Sequence, residues 1–318
     1  MYCEFGGFEI ILFAFTLRSD NLFFYSSLLR SWYVHTTEGM YSIIDGLAEV
    51  PNIEKLHLHF NLPNPDKPQL AGIIPLRRFP ALRQLSIEAI SAPRSLTDNY
   101  IQQLRNLHHT TPSFTQLELA IPFMNFNPQE QAESPRNYLH EIVQDVPKGT
   151  PFKLQILRVD GWTLKLDSTT LPHLKFLTSL DICQMLGSSS IPEVWDRLSE
   201  ARIHLEDVAT RDVGPQLVNY LKSYSGLKRL ELRRNPCRAP GLAETYADIY
   251  RIVLPMHKDS LLSLKLLDRG SIHACIHAEY IPLVSLCKKL SLLSAVVRRK
   301  DVDDGNSMVC ISLLTRSW

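Results

Sequence analysis

The chain has 318 residues, a formal net charge of +1, 45% hydrophobic residues and 21% charged residues. That balance excludes a disordered polyelectrolyte, and it leaves no summed field to draw nucleic acid, since Arg77 with Arg78, Arg233 with Arg234 and Arg298 to Lys300 are short, scattered basic clusters. The length suits either two ordinary globular domains or one elongated repeat domain whose core grows with each unit.

In chain order, residues 1–28 show no periodic pattern and are expected to form an irregular N-terminal segment. Their most apolar stretch, Phe8 to Phe15, is about half the roughly 20 residues a spanning helix needs, and it contains Glu9. Glu4 precedes any Lys or Arg, so the basic start of a signal peptide is missing. No membrane association is expected.

From Leu29 onward one pattern returns, an apolar residue followed three and five positions later by two more, LxxLxL. Clear instances are Leu29/Trp32/Val34, Ile53/Leu56/Leu58, Leu82/Leu85/Ile87, Phe114/Leu117/Leu119, Leu154/Leu157/Val159, Leu177/Leu180/Ile182, Leu227/Leu230/Leu232 and Leu261/Leu264/Leu266. Ile203/Leu205/Val208, with shifted spacing, and Leu290/Leu293/Ala295 bring the total to ten. The period wanders between roughly 23 and 40 residues, against 20 to 29 for regular leucine-rich repeats, so helices and loops of varying length are expected between strands.

Each LxLx core should form a short strand whose alternate leucines point inward while their neighbours point out. One such strand cannot bury its face alone. Stacking neighbours into a parallel ladder does, at roughly 1.5 to 3 kcal/mol per fully buried Leu. Between strands, apolar residues at three- and four-residue spacing predict helices: one capped by Thr97 or Asp98 and carrying Tyr100, Leu104 and Leu107; one opened by Ser134 and Pro135 and carrying Leu139, Ile142 and Val146; one from Pro215 through Leu217 and Leu221 to Tyr224, with Gly226 as its stop. Asn61 to Pro68 and Gly187 to Ser190 read as surface loops, and Asp301 to Trp318 as the start of another helix in a C-terminal tail, residues 298–318.

The six cysteines, Cys3, Cys183, Cys237, Cys275, Cys287 and Cys310, form no CxxC pair, and no Asn-x-Ser/Thr sequon occurs. A reducing compartment, cytoplasmic or nuclear, fits both observations.

Signatures of catalysis are missing: there is no GxxxxGK[ST] or GxGxxG loop, no GxSxG elbow and no HExxH helix. The run Ser271 to Tyr280 places His273, Cys275, His277 and Glu279 at alternate positions, on one face if it is a strand. Same-face neighbours on a strand are roughly 7 Å apart, too far for all four to reach one zinc ion. A half-buried strand or loop with a wet polar face is the favoured reading, and a metal-dependent hydrolase is a remote alternative resting on that run alone. Trp195 with Val194 and Leu198 reads as the apolar face of a helix, and Trp162 as core. No catalytic residue, metal or cofactor is assigned.

If the strands stack, the side chains flanking each central leucine line one concave surface, the usual binding face of repeat proteins. They are Lys55, His57 and His59; Gln84, Ser86 and Glu88; Gln116 and Glu118; Arg158 and Asp160; Asp181; Arg229, Glu231 and Arg233; and Lys265. The row reads as mixed in charge, with an acidic middle and a basic patch at Arg229 and Arg233, which suits a polar protein partner.

The stretches VPNIEKLHL (Val50 to Leu58), LDSTTLPHLKFLTSLDI (Leu166 to Ile182), YLKSYSGLKRLEL (Tyr220 to Leu232) and VLPMHKDSLLSLKL (Val253 to Leu266) resemble fungal F-box-associated leucine-rich-repeat proteins over roughly Trp32 to Val297. The resemblance implies an α/β fold, an irregular leucine-rich-repeat solenoid over residues 29–297 with parallel strands inside and helices outside. It also implies a non-enzymatic protein-interaction module, the substrate-binding half of a ubiquitin-ligase receptor. Residues 1 to 31 lack the Leu-Pro start of an F-box, so binding to the ligase adaptor is not expected. That departure keeps open a second reading, a truncated or degenerate repeat protein with no binding role.

Overall fold

The computed structural model describes residues 2–5, 8–11, 31–36, 53–61, 75–90, 94–111, 113–120, 138–146, 150–160, 164–183, 191–233, 241–267, 276–298 and 308–314. It divides into two compact units, Met1–Phe176 and Leu177–Trp318. That division falls inside the span 29–297 read from the sequence as one repeat domain.

Unit 1 opens with an antiparallel hairpin, β1 (Tyr2–Phe5) and β2 (Phe8–Ile11), within a segment expected to be irregular. Five parallel strands follow: β3 (Ser31–Thr36), β4 (Lys55–Asn61), β5 (Gln84–Ile90), β6 (Gln116–Ala120) and β7 (Ile156–Asp160). Their register pairs Trp32 with Leu56, Leu56 with Leu85, Leu85 with Leu117 and Leu117 with Leu157. Leu56 and Leu85 are fully buried, and the next inward row, Leu58, Ile87, Leu119 and Val159, is buried as well. Alternation at period two thus places Leu56, Leu58, Leu85, Ile87, Leu117, Leu119, Leu157 and Val159 of β4 to β7 in the core.

The helices of unit 1 cover that core. Helix α1 (Arg94–Thr110) buries Tyr100, Ile101, Leu104 and Leu107, and α2 (Tyr138–Val143) buries Leu139, Ile142 and Val143. The expected cap at Thr97 or Asp98 is corrected: α1 begins at Arg94, directly after Pro93, so both residues lie inside its first turns. Ser134 and Pro135 lie outside the described residues.

Unit 2 repeats the scheme with β8 (Ser179–Cys183), α3 (Ile191–Glu200), β9 (Asp207–Thr210), α4 (Pro215–Leu221), β10 (Arg229–Arg233), α5 (Leu242–Asp248), α6 (Leu254–His257), β11 (Ser263–Leu267), α7 (Ile281–Ser285) and β12 (Leu292–Arg298). A wide helical turn, Ile249–Val253, joins α5 to α6. The inward row is Leu180, Val208, Leu230, Leu264 and Leu293. The irregular sequence unit is therefore centred on Val208 rather than Leu205, and Thr210 takes the third position, fully buried, its Oγ1 accepting the Asp212 N–H at 3.0 Å. Read as Leu205/Val208/Thr210, the spacing is regular.

The C-terminal helix expected within Asp301 to Trp318 is also corrected. Met308–Leu314 forms β13, antiparallel to β12, with Val297 opposite Val309 and Leu293 opposite Leu313. Two β-branched residues, Val309 and Ile311, suit a strand, and pairing supplies the partner groups that isolated propensity ignores. Gly226, expected to stop a helix, has φ +112°, in the left-handed region that favours glycine, and turns the chain from Tyr224 into the residues preceding β10.

A backbone device recurs through both ladders. The carbonyl just before one strand accepts two successive N–H groups at the start of the next: Glu54 from Arg83 and Gln84, Arg83 from Thr115 and Gln116, Thr115 from Gln155 and Ile156. In unit 2, Thr178, Glu206, Lys228 and Leu262 carbonyls do the same. Each strand is thereby indexed to its neighbour whatever the length of the connection between them. Tyrosines add a second tie: the Tyr220 hydroxyl donates to the Ile203 carbonyl at 2.8 Å and accepts the Leu205 N–H at 3.0 Å, while the Tyr224 hydroxyl donates to the Leu205 carbonyl at 2.8 Å.

Candidate binding faces of the strand ladders

The face opposite the leucines carries the side chains that the sequence nominated. In unit 1, register sets Lys55, Gln84, Gln116 and Ile156 in one row, His57, Ser86, Glu118 and Arg158 in the next, and His59, Glu88, Ala120 and Asp160 in a third. Lys55, Glu88 and Arg158 are exposed, and His57, Gln84, Glu118 and Asp160 are half-buried; the His59 side chain lies outside the described residues. Gln116 Nε2 donates to Glu118 Oε1 at 2.7 Å, which orients that carboxylate along the sheet. Burial lowers the pKa of His57, Glu118 works to raise it and Lys55 lowers it further, so the ring is held toward its neutral form.

In unit 2 the same face is a set of charge pairs. Arg229 grips Asp207, its partner in register, with Nε 2.7 Å from Oδ1 and Nη2 on Oδ2. Arg233 reaches across β9 to Asp181, with Nη1 2.7 Å from Oδ1 and Nη2 2.9 Å from Oδ2, while its Nε donates to Glu231 Oε1 at 2.7 Å. Lys265 Nζ donates to the other Glu231 oxygen at 3.1 Å. Burial would raise the pKa of Glu231, but Arg233 and Lys265 hold it below the ordinary carboxylate value. Burial works against the charge of Arg233, and Asp181 and Glu231 more than offset it.

The expected basic patch at Arg229 and Arg233 is therefore corrected to a neutralised network. Three cations (Arg229, Arg233, Lys265) face three carboxylates (Asp207, Asp181, Glu231), each within hydrogen-bonding distance of a partner. Of the six, Asp207 was missed at the sequence level, although its place two residues before Ala209 on the outward side of β9 was readable once Val208 is taken as inward.

Ala209 makes the network possible. It sits in register between Asp181 and Glu231, and its small side chain leaves the lane that the Arg233 guanidinium crosses. Ala209→Leu should obstruct that lane and lower stability by about 1 to 2 kcal/mol, an overpacking cost that shrinks when Arg233 is already Ala. Urea midpoints of the two single variants and the double variant measure the difference, and strictly additive costs would contradict the crossing.

The run 271–279 does not continue as a strand where it is described. Ile276 and His277 lie outside any strand, His277 with extended backbone, and Ala278–Tyr280 forms a tight helical turn that leads directly into α7; His273 and Cys275 lie outside the described residues. Tyr280 stacks on Tyr250 at 4.3 Å and lies under Arg251. Among the described residues no group of three His, Cys, Asp or Glu side chains is placed to hold a metal ion. A void of about 10 Å³ in unit 1, lined by Leu104, Phe114, Leu139, Ile142, Phe152 and His173 among others, is apolar and at most water-sized. Trp195 is buried with Val194 and Leu198, as expected; Trp162 lies outside the described residues.

These features define an α/β protein in which parallel strands alternate with helices and each ladder turns one polar face outward. No protein-family model matches the chain, and no curated protein matches it. No helix among the described residues is long and apolar enough to cross a membrane.

Proposed function

We propose that the chain is an irregular leucine-rich-repeat protein that binds another protein on its outward strand faces and carries out no chemistry of its own. The observation that carries this reading is the in-register alternation of both ladders, inward leucines against outward polar side chains, which builds ordered rows such as His57, Ser86, Glu118 and Arg158. Rows of that kind offer a partner fixed hydrogen-bonding positions at little conformational cost, because the backbone is already ordered. The resemblance to fungal F-box-associated repeats supports a partner of the type recruited by ubiquitin-ligase receptors, in the cytoplasm or nucleus.

Position-specific crosslinking tests the reading. A photoreactive residue at Ser86 or Gln116 should capture one recurrent protein from a fungal extract, and one at Gln102, exposed on α1, should not. Equal capture at all positions, or none at the strand positions, would refute binding through this face.

A further inference from the structure

His257 ends α6, is only 1% exposed, and touches backbone groups of the preceding sequence unit. Its Nδ1 lies 3.2 Å from the Leu227 backbone nitrogen, and its Nε2 lies 2.9 Å from the Leu221 carbonyl oxygen. An amide N–H only donates and a carbonyl only accepts, so the ring must hold its proton on Nε2 and keep a lone pair on Nδ1. The end of α4 and the approach to β10 are thus tied together by a neutral imidazole that comes from the next unit.

A second proton would go to Nδ1. That atom then becomes a donor facing the Leu227 N–H, and a buried amide loses its acceptor. The titratable neighbours offer the imidazolium little in return. Tyr224 packs edge-on at 5.3 Å and spends its hydroxyl on the Leu205 carbonyl, and Tyr220 spends its own on Ile203. The Cys287 thiol, its pKa raised by burial, faces the Leu254 carbonyl at 3.9 Å. Lys222, Lys258 and Asp259 are exposed, and Lys228 is paired with Glu206. Burial accordingly pushes the His257 pKa down, with the Leu221 carbonyl opposing.

Unit 1 has a counterpart. His173, 2% exposed, places Nδ1 3.2 Å from the Phe152 backbone nitrogen. Both histidines follow a Leu-Pro pair and stand four residues before the first leucine of an LxxLxL motif, Leu177 or Leu261.

We propose that His257 is an acid-sensitive latch between successive strand–helix units of unit 2, holding Leu221 and Leu227 together while neutral and releasing Leu227 when it takes up a proton. The sign follows from linkage. With the folded pKa below the ordinary 6.5, the opened state binds more protons, so the latch is fully effective above that value and weakens as pH falls from it toward the folded pKa.

Amide exchange resolved by residue tests this in the full chain. On acidification below about pH 6.5, the protection factor of the Leu227 amide should fall by up to about tenfold per pH unit, while that of Leu230 within β10 falls much less. In His257→Gln, which keeps a donor and an acceptor but does not titrate, the Leu227 response should vanish. An unchanged Leu227 protection factor in the wild type, or the same response in the variant, overturns the latch. Ring nitrogen shifts of the wild type give a readout independent of whether the variant folds: they should report the Nε2–H tautomer near neutrality, and a ring already doubly protonated there would overturn the proposal.

Discussion

Leu230→Asp is expected to cost at least about 4 kcal/mol, enough to unfold unit 2 under mild conditions, whereas Glu231→Ala should cost about 1 kcal/mol. Leu230 is 1% exposed and lies in register between Val208 and Leu264, so a carboxylate there would sit between two apolar neighbours. It would ionise at a steep desolvation penalty or remain protonated at the expense of its preferred charge state. Glu231, one residue on, faces the other way, is half-buried and bonds Arg233 and Lys265. Removing it loosens two hydrogen bonds but leaves Arg233 still bound to Asp181. Urea unfolding of the two variants separates the cases, and equal costs would contradict the alternation on which the ladder rests.

The alternation at Leu230 was legible in the sequence because a period of two is imposed by strand geometry and survives any change in the length of what lies between strands. The same holds for Leu56, Leu85, Leu117 and Leu157, whose register matches the motif residue by residue. Two places escaped. At β9 the inward row includes Thr210, a polar residue that a search for leucines passes over; its methyl suits the core while its hydroxyl takes up the Asp212 N–H. At β13, Met308, Ile311 and Leu313 keep the LxxLxL spacing, but the segment was read as a helix, and pairing with β12 shows it to be a strand.

For the candidate faces, which residues point outward was readable, but which of them bond one another was not. Arg233 and Asp181 are 52 residues apart, and their meeting depends on β9 lying between them with alanine at the crossing. The buried histidines escaped for a different reason. A lone His before a leucine carries no signal, and only the repetition of Leu-Pro followed by His at the same distance from the motif, at His173 and His257, marks a shared backbone role.

Arg233→Glu should cost about 2 to 4 kcal/mol, while Arg229→Glu should cost about 1 kcal/mol or less. Both residues were nominated as partner contacts, but their surroundings differ. The Arg233 side chain is 21% exposed and lies between Asp181 and Glu231; reversal sets a third carboxylate beside those two, with Lys265 still bonded to Glu231. The Arg229 side chain is 67% exposed and pairs with Asp207 at the margin of the face, where water screens the repulsion that reversal creates. Thermal unfolding at low and high salt distinguishes the two, since the loss at Arg233 should persist when salt is raised and the smaller loss at Arg229 should fade. A partner that uses this face should therefore lose affinity with Arg229→Glu in a fully folded protein, whereas Arg233→Glu weakens binding and stability together. Arg229 is for that reason the residue at which recognition can be measured separately from folding.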